Sequence, residues 1–283
     1  MYFLEKWLDL SRPRVMGILN ATPDSFFDGG NLYKNGKIDL NLALSQAEGM
    51  VSDGAAILDI GGESTRPGAN PISDEEEMER VVPVVESIAS RLDVVISVDT
   101  SKPKVIEAAI SSGAHMINDV RALSEPRALE VVATSNVSVC LMHMSGSPRT
   151  MQVSPAYKSV NKDVKNFLLS RIAECKKAGI SRDRFIVDPG FGFGKTVDHN
   201  LELLRNLKDF ANLGYPLLVG FSRKSMINKL LTRDITERLP ASLGMVAIAL
   251  ERGANLIRAH DVRETADVIS MWTAVNGAEI VSE

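Results

Sequence analysis

The chain has only two cysteines, Cys140 and Cys175, in 283 residues. Two thiols make neither a disulfide framework nor a zinc cluster, and a chain of this length can bury a core that needs no staple. Both lie inside apolar or helical runs, where free buried thiols are expected. Long uncharged runs are lacking too, since no stretch of about 18 apolar residues is present to cross a bilayer. The opening MYFLEKWLDL breaks its apolar residues with Glu5, Lys6 and Asp9, which spoils a signal-peptide core. A cytoplasmic protein with no membrane partner is the expectation. There is no excess of positive charge: 32 basic residues stand against 36 acidic ones, a net charge of -4 spread along the chain. That balance argues against a nucleic-acid partner but leaves room for a local anion site. No Gly/Ser linker or change of composition divides the chain. One domain over 1–283 is expected, with a short lead-in at 1–13 and loops near 21–36 and 61–73.

What is present is an alternation of short apolar runs with amphipathic segments. The runs at 15–19, 56–60, 94–98, 115–117, 137–142, 184–187, 217–219 and 255–257 read as eight strands. Between them, Leu40, Ala43, Ala47 and Met50 form one helical stripe after Asp39, and Met78, Val81, Val82, Val85, Ile88 and Leu92 form another. A third runs through Val164, Phe167, Leu168, Ile172 and Cys175. Ser73 with Glu76, and Asp261 with Glu264, have the spacing of capping boxes, and Ser101 and Ser124 are candidate caps. A small-residue helix is expected around 241–250. Repeated strand–helix units imply a parallel sheet with right-handed crossovers, and eight units favour an α/β TIM (β/α)8 barrel over an open sheet.

The apolar runs end on polar residues: Asn20, Asp59 with Glu63, Asp99, Asn118 with Asp119, His143, Asp188, Ser222 with Lys224, and Arg258 with His260. In a barrel these ends share one rim. A solvated rim is polar anyway, but this set mixes carboxylates, amides and cations around one mouth. Asn118, Asp188 and Lys224 offer acceptors and donors suited to a flat nitrogen heterocycle. Arg66, Arg258 and His260 suit a diphosphate, since arginine presents a rigid fork to phosphate oxygens. Asn20 and Asp24 are hard oxygen donors that could orient Mg²⁺, although Asp24 in TPDSF also has the character of a turn residue.

Two apparent motifs are set aside. The run PGFGFGKT resembles a phosphate loop, but Pro189 occupies the place of its first glycine. Cys140 and His143 have zinc-like spacing without a second pair, so His143 reads as a hydrogen-bonding rim residue.

The blocks MGILNATPDSFFDGG (16–30), DIGGESTRPG (59–68), SVDTSKP (97–103), INDVR (117–121), LMHM (141–144), DPGFGFGK (188–195), GFSRKS (220–225) and IRAHDV (257–262) resemble the dihydropteroate synthase family, in order and over nearly the whole chain. The resemblance implies a TIM barrel, homodimeric, that joins 6-hydroxymethyl-7,8-dihydropterin diphosphate to 4-aminobenzoate with Mg²⁺. It implies a pterin pocket of Asp99, Asn118, Met142, Asp188, Gly220 and Lys224. Around the diphosphate it implies Asn20, Thr65, Arg66, Arg258 and His260, with Asn20 as metal ligand and Asp24 as a second candidate. It places Ser64, Thr65, Arg66, Pro67, Phe193 and Ser222 on the aminobenzoate side, where sulfonamides compete, and lets Phe26 and Phe27 close over substrate. Asp99, Asp188, Lys224 and Arg258 then carry catalysis, and replacing Arg258 by alanine is expected to harm turnover far more than stability. A pterin-dependent methyltransfer barrel would need the pterin set without the anion set, and a noncatalytic pterin-binding barrel would release no diphosphate.

Overall fold

The computed structural model describes residues 1–23, 32–34, 37–65 and 68–277. Its centre is an eight-stranded parallel sheet. The strands are β1 (Arg14–Asn20), β2 (Ala55–Gly61), β3 (Val95–Asp99), β4 (Met116–Asp119), β5 (Ser138–Met142), β6 (Phe185–Asp188), β7 (Leu218–Val219) and β8 (Leu256–Ala259). Neighbours in sequence are neighbours in space, β8 pairs with β1, and a Val187–Leu217 bridge joins β6 to β7. The sheet therefore nearly closes into the expected TIM barrel, and each expected strand is found within a residue or two.

Strand alternation explains the core. Met16, Ile57, Val95, Met116, Cys140, Ile186, Leu218 and Leu256, one from each strand, point inward and fill the barrel floor. Their neighbours, such as Leu19, Leu58, Ile96, Val139 and Val219, point outward and pack under the helices. Cys140 is thus a floor residue whose thiol burial holds far from ionisation, which removes it from any metal chemistry. A two-stranded hairpin, Tyr2–Phe3 with Lys6–Trp7, lies outside the barrel sheet and sends Phe3 into the floor cluster, where it is fully buried.

The surrounding helices are α1 (Leu40–Ser52), α2 (Asp74–Ala89), α3 (Pro103–Ser111), α4 (Ala128–Thr134), α5 (Val160–Lys177), α6 (Val197–Arg205), the short α7 (Lys208–Ala211), α8 (Ser225–Leu231), α9 (Leu239–Leu250) and α10 (Val262–Val275). Among the described residues no helix is long and apolar enough to cross a membrane. Asp39 caps α1 by accepting from the amides of Asn41 and Leu42. Ser73 caps α2 through the Glu76 amide.

The expected cap at Asp261 does not form. Its carboxylate is taken by the guanidinium of Arg223, at 2.6 and 2.8 Å, a charged fork that outcompetes a single backbone amide. Ser101 is not a cap either, because its hydroxyl donates to Asp119 and Lys102 precedes α3. Nor is Ser124, since α4 starts after Arg127.

Phe3→Ala should lower unfolding free energy by about 3 kcal/mol, the usual cost of emptying an aromatic core site. Because Phe3 belongs to the floor cluster, below the layer of polar side chains, ligand affinity at the rim should stay within about twofold. Urea titration and calorimetry on the same variant check both halves.

Candidate active site

Two residues beyond the floor on each strand, the same inward face carries Ile18, Asp59, Ser97, Asn118, Met142, Asp188, Gly220 and Arg258. This layer replaces hydrocarbon with charge, and its centre is Asp59. Asp59 Oδ1 accepts from Ser97 Oγ at 2.7 Å, and Oδ2 accepts from Asn118 Nδ2 at 3.1 Å and Arg258 Nε at 2.6 Å. Arg258 Nη2 then donates to Asp99 Oδ2 at 2.9 Å. The rim reading of Asp59 is corrected by register: Gly61, not Asp59, pairs with Asp99, so Asp59 lies one layer deeper and fully buried.

Burial alone would make Arg258 easier to deprotonate, but Asp59 and Asp99 outweigh it and raise its pKa. Burial pushes Asp99 up to about 7, with Arg258 opposing and Asp59 adding to the shift. Asp99 Oδ1 and Asn118 Oδ1 are buried acceptors without a partner among the described residues. Both residues line a cavity of about 650 Å³ at the mouth of the barrel. A buried carbonyl or carboxylate oxygen without a donor costs free energy, so these two call for a ligand rich in N–H groups.

On the opposite arc, Asp188 Oδ1 accepts from the Gly190 amide at 2.7 Å, and no partner among the described residues takes its other oxygen. Burial raises its pKa despite Lys224 nearby. Lys224 donates to the Phe191 carbonyl and lies 4.9 Å from the centre of the Phe193 ring. Burial draws its pKa down to about 8, with Asp188 offsetting and Arg258 reinforcing.

The glycine run after β6 is not a phosphate loop. Lys195 turns inward and is nearly fully buried, donating to the carbonyls of Gly190 (2.8 Å) and Phe193 (3.0 Å) and to His143 Nδ1 (3.0 Å). Gly190 has φ +70° and sits so close to His143 that a Cβ would fall 1.9 Å from its carbonyl oxygen. His143 is consequently a buried loop anchor, not a rim residue. Its pKa is pushed down to about 3 by burial and then by Lys195, so the ring is neutral and accepts at Nδ1.

The cavity gathers every described residue of the expected site: Asn20, Ser64, Thr65, Asp99, Asn118, Met142, Asp188, Phe193, Gly220, Ser222, Lys224, Arg258 and His260. Ser222 Oγ and His260 Nδ1 are hydrogen-bonded at 2.9 Å. Arg66, Pro67, Asp24, Phe26 and Phe27 lie outside the described residues. Sequence reasoning missed the buried lysine Lys195, as well as Arg223, Asp234 and Arg238, which also line the mouth. Alternation from the floor residues would have found the depth of Asp59. Nothing in the local sequence marks Lys195 as buried.

The sequence profile of a family described as pterin binding enzymes matches residues 16–260. The dihydropteroate synthase of Escherichia coli K12 is 53% identical over 272 residues, covering 96% of this chain and 95% of that protein. Among solved structures, Yersinia pestis dihydropteroate synthase in a sulfonamide drug complex superposes with TM-score 0.92 at 50% identity, over 96% of this chain and 97% of that one. Xanthomonas albilineans dihydropteroate synthase with 4-aminobenzoic acid gives TM-score 0.88 at 45% identity, over 96% of each.

The position of Lys224 makes a prediction about pH. Its folded pKa, about 8, lies below that of the unfolded lysine, so the unfolded chain holds more protons between about pH 8 and 10.5 and stability rises with pH across that window. Below it the folded protein bears the cost of a desolvated ammonium. Lys224→Met should therefore flatten the rise of ligand-free Tm with pH between about 8 and 10, since no lysine is left there to lose its proton on folding. Thermal melts across pH check the trend; a rise as steep as that of the unmodified protein contradicts it.

Proposed function

Since this chain belongs to the dihydropteroate synthase family, we infer that it condenses 6-hydroxymethyl-7,8-dihydropterin diphosphate with 4-aminobenzoate to give 7,8-dihydropteroate and diphosphate. Sulfonamides, which mimic the aminobenzoate, would compete for the same cavity. The observation that carries the reading is the pair of buried acceptors without a partner among the described residues, Asp99 Oδ1 and Asn118 Oδ1, together with the second oxygen of Asp188. A pterin presents N–H groups along one edge and a ring oxygen near another, matching three acceptors and the Lys224 ammonium. Met142 and Gly220 line the same pocket and leave room for a flat ring.

The chemistry follows from where charge develops. As the C–O bond to diphosphate breaks, positive charge spreads from the exocyclic methylene into the dihydropterin ring, and Asp99 and Asp188 stabilise it. Arg258 has two nitrogens held by Asp59 and Asp99, while no partner among the described residues takes Nη1. We assign that nitrogen, with His260, Thr65 and Arg66, to the departing phosphates. The neutral arylamine of 4-aminobenzoate attacks from the side of Ser64, Thr65, Arg66, Pro67, Phe193 and Ser222. It loses its proton readily once bonded, so no dedicated base is assigned. A cavity walled by Phe191, Phe193 and Met151 keeps competing water from the cation.

Mg²⁺ belongs to this proposal as an ion that travels with the diphosphate. No group of three His, Cys, Asp or Glu side chains among the described residues could hold a metal by itself. One hard oxygen from Asn20 at the end of β1, with Asp24 as a candidate second, fits an ion whose other ligands are phosphate and water. Bound there, Mg²⁺ would neutralise the leaving group.

The same reading places the enzyme in the cytoplasm, as a single catalytic domain, and as a homodimer. Exposed Ile248 on α9 and Met271 and Val275 on the adjacent α10 support a self-association face.

The activity is tested by diphosphate release with both substrates; release must depend on 4-aminobenzoate. Arg258→Ala should lower turnover by about a hundredfold. Unlike the expectation from sequence alone, it should also cost about 3 kcal/mol of stability, because Asp59 and Asp99 lose their counter-charge. Steady-state kinetics and denaturant melts measure the two effects. Wild-type turnover in the folded variant would remove Arg258 from the reaction.

A further inference from the structure

The loop from Gly62 to Ser73, between β2 and α2, is closed at its base by a lysine from the next unit. The Ile72 amide donates to Glu63 Oε1 at 2.9 Å, and the Ile72 carbonyl accepts from Lys102 Nζ at 2.8 Å. The same ammonium lies 2.8 Å from Glu77 Oε2 and 3.4 Å from Glu63 Oε2. Lys102 stands immediately before α3, and Glu77 lies in the first turn of α2. One side chain therefore ties both ends of the loop to two helices. Gly62 is pressed against the same helix: a Cβ there would come within 2.5 Å of Val81 Cγ2.

Two features argue for a role beyond stability. The Glu77 carboxylate is 1% exposed, and burial raises its pKa although Lys102 opposes the shift. Glu77 is buried while the Lys102 side chain is 20% exposed; an ion pair that desolvates a carboxylate in this way is a poor source of stability, but it fixes geometry. Further, neither Lys102 nor Glu77 lines the cavity, whereas Glu63, Ser64 and Thr65, directly attached to the clamped base, do.

We propose that Lys102 is a positioning residue, its pair with Glu77 setting the base of this loop and so holding Ser64 and Thr65 where 4-aminobenzoate binds. The proposal rests on the placement of aminobenzoate made above, and its test separates the two. The enzyme is compared with Lys102→Met, Lys102→Arg and the double variant Lys102→Met/Glu77→Met, which leaves no unpaired buried charge and decides the question if the single variant does not fold.

Two readouts are taken: KM for each substrate by diphosphate release, and amide hydrogen exchange of ligand-free protein over residues 68–73. Loss of the clamp should raise KM for 4-aminobenzoate about tenfold, leave KM for the pterin diphosphate within about twofold, and speed exchange at the loop base about tenfold. Lys102→Arg should restore most of both. Unchanged exchange and unchanged KM would overturn the proposal, as would equal losses for both substrates with faster exchange throughout the barrel. If the unmodified enzyme releases no diphosphate in response to 4-aminobenzoate, the placement of that substrate fails, and the exchange data still judge the clamp.

Discussion

The site depends on one buried arrangement of charge: a guanidinium, Arg258, held between two carboxylates, Asp59 and Asp99. Each partner alone would be expensive inside a barrel, where water cannot solvate it. Together they let the middle layer of the barrel be polar without collapsing. Asp59 has its acceptors filled by Ser97, Asn118 and Arg258, which locks the Asn118 amide and leaves its buried oxygen without a donor among the described residues. The unmet demand at Asn118 and Asp99 is thus created by what lies beneath them. In the proposed reading, the pterin edge satisfies it.

The same arrangement sets the order of charges around the mouth, with Arg258 paired directly to Asp99. Asp99 and Asp188 come from β3 and β6, and in the proposed reaction their carboxylates flank the ring in which cation character grows. Arg258 lies on β8, beside β1 and Asn20, His260 directly follows that strand, and Ser222 supports His260 from the neighbouring loop. Below both arcs the apolar floor fixes the strand register, so the distance between acids and bases is set by barrel geometry and not by flexible side chains. Lys195 plays a parallel part on the β6 side, tying the glycine run to His143 and shaping the wall that carries Phe191 and Phe193.

Much of this can be read from sequence because a parallel barrel converts chain position into spatial position. Strand ends at Asn20, Asp99, Asn118, Asp188 and Arg258 must share a rim once eight units are counted, and every described site residue does reach one cavity. What cannot be read is how polar side chains divide among one another. Arg258 meets Asp59 across 199 positions, and Arg223 takes Asp261 across 38, so the latter never caps its helix. His143 is likewise joined to Lys195 over 52 positions and withdrawn from the rim that its local sequence suggests. Such choices belong to geometry: a charged fork wins over an amide, and depth follows register. The β-strand alternation that places Asp59 below the rim is visible in principle, but only after the floor residues are known.

The most direct test of the account is a ligand-bound structure with an uncleavable analogue of the pterin diphosphate. The pterin edge should lie within about 3 Å of Asp99 Oδ1, Asn118 Oδ1 and Asp188, with its phosphates on the Arg258 and His260 side of the same cavity. A ring bound elsewhere, with those buried oxygens still lacking donors, would contradict it.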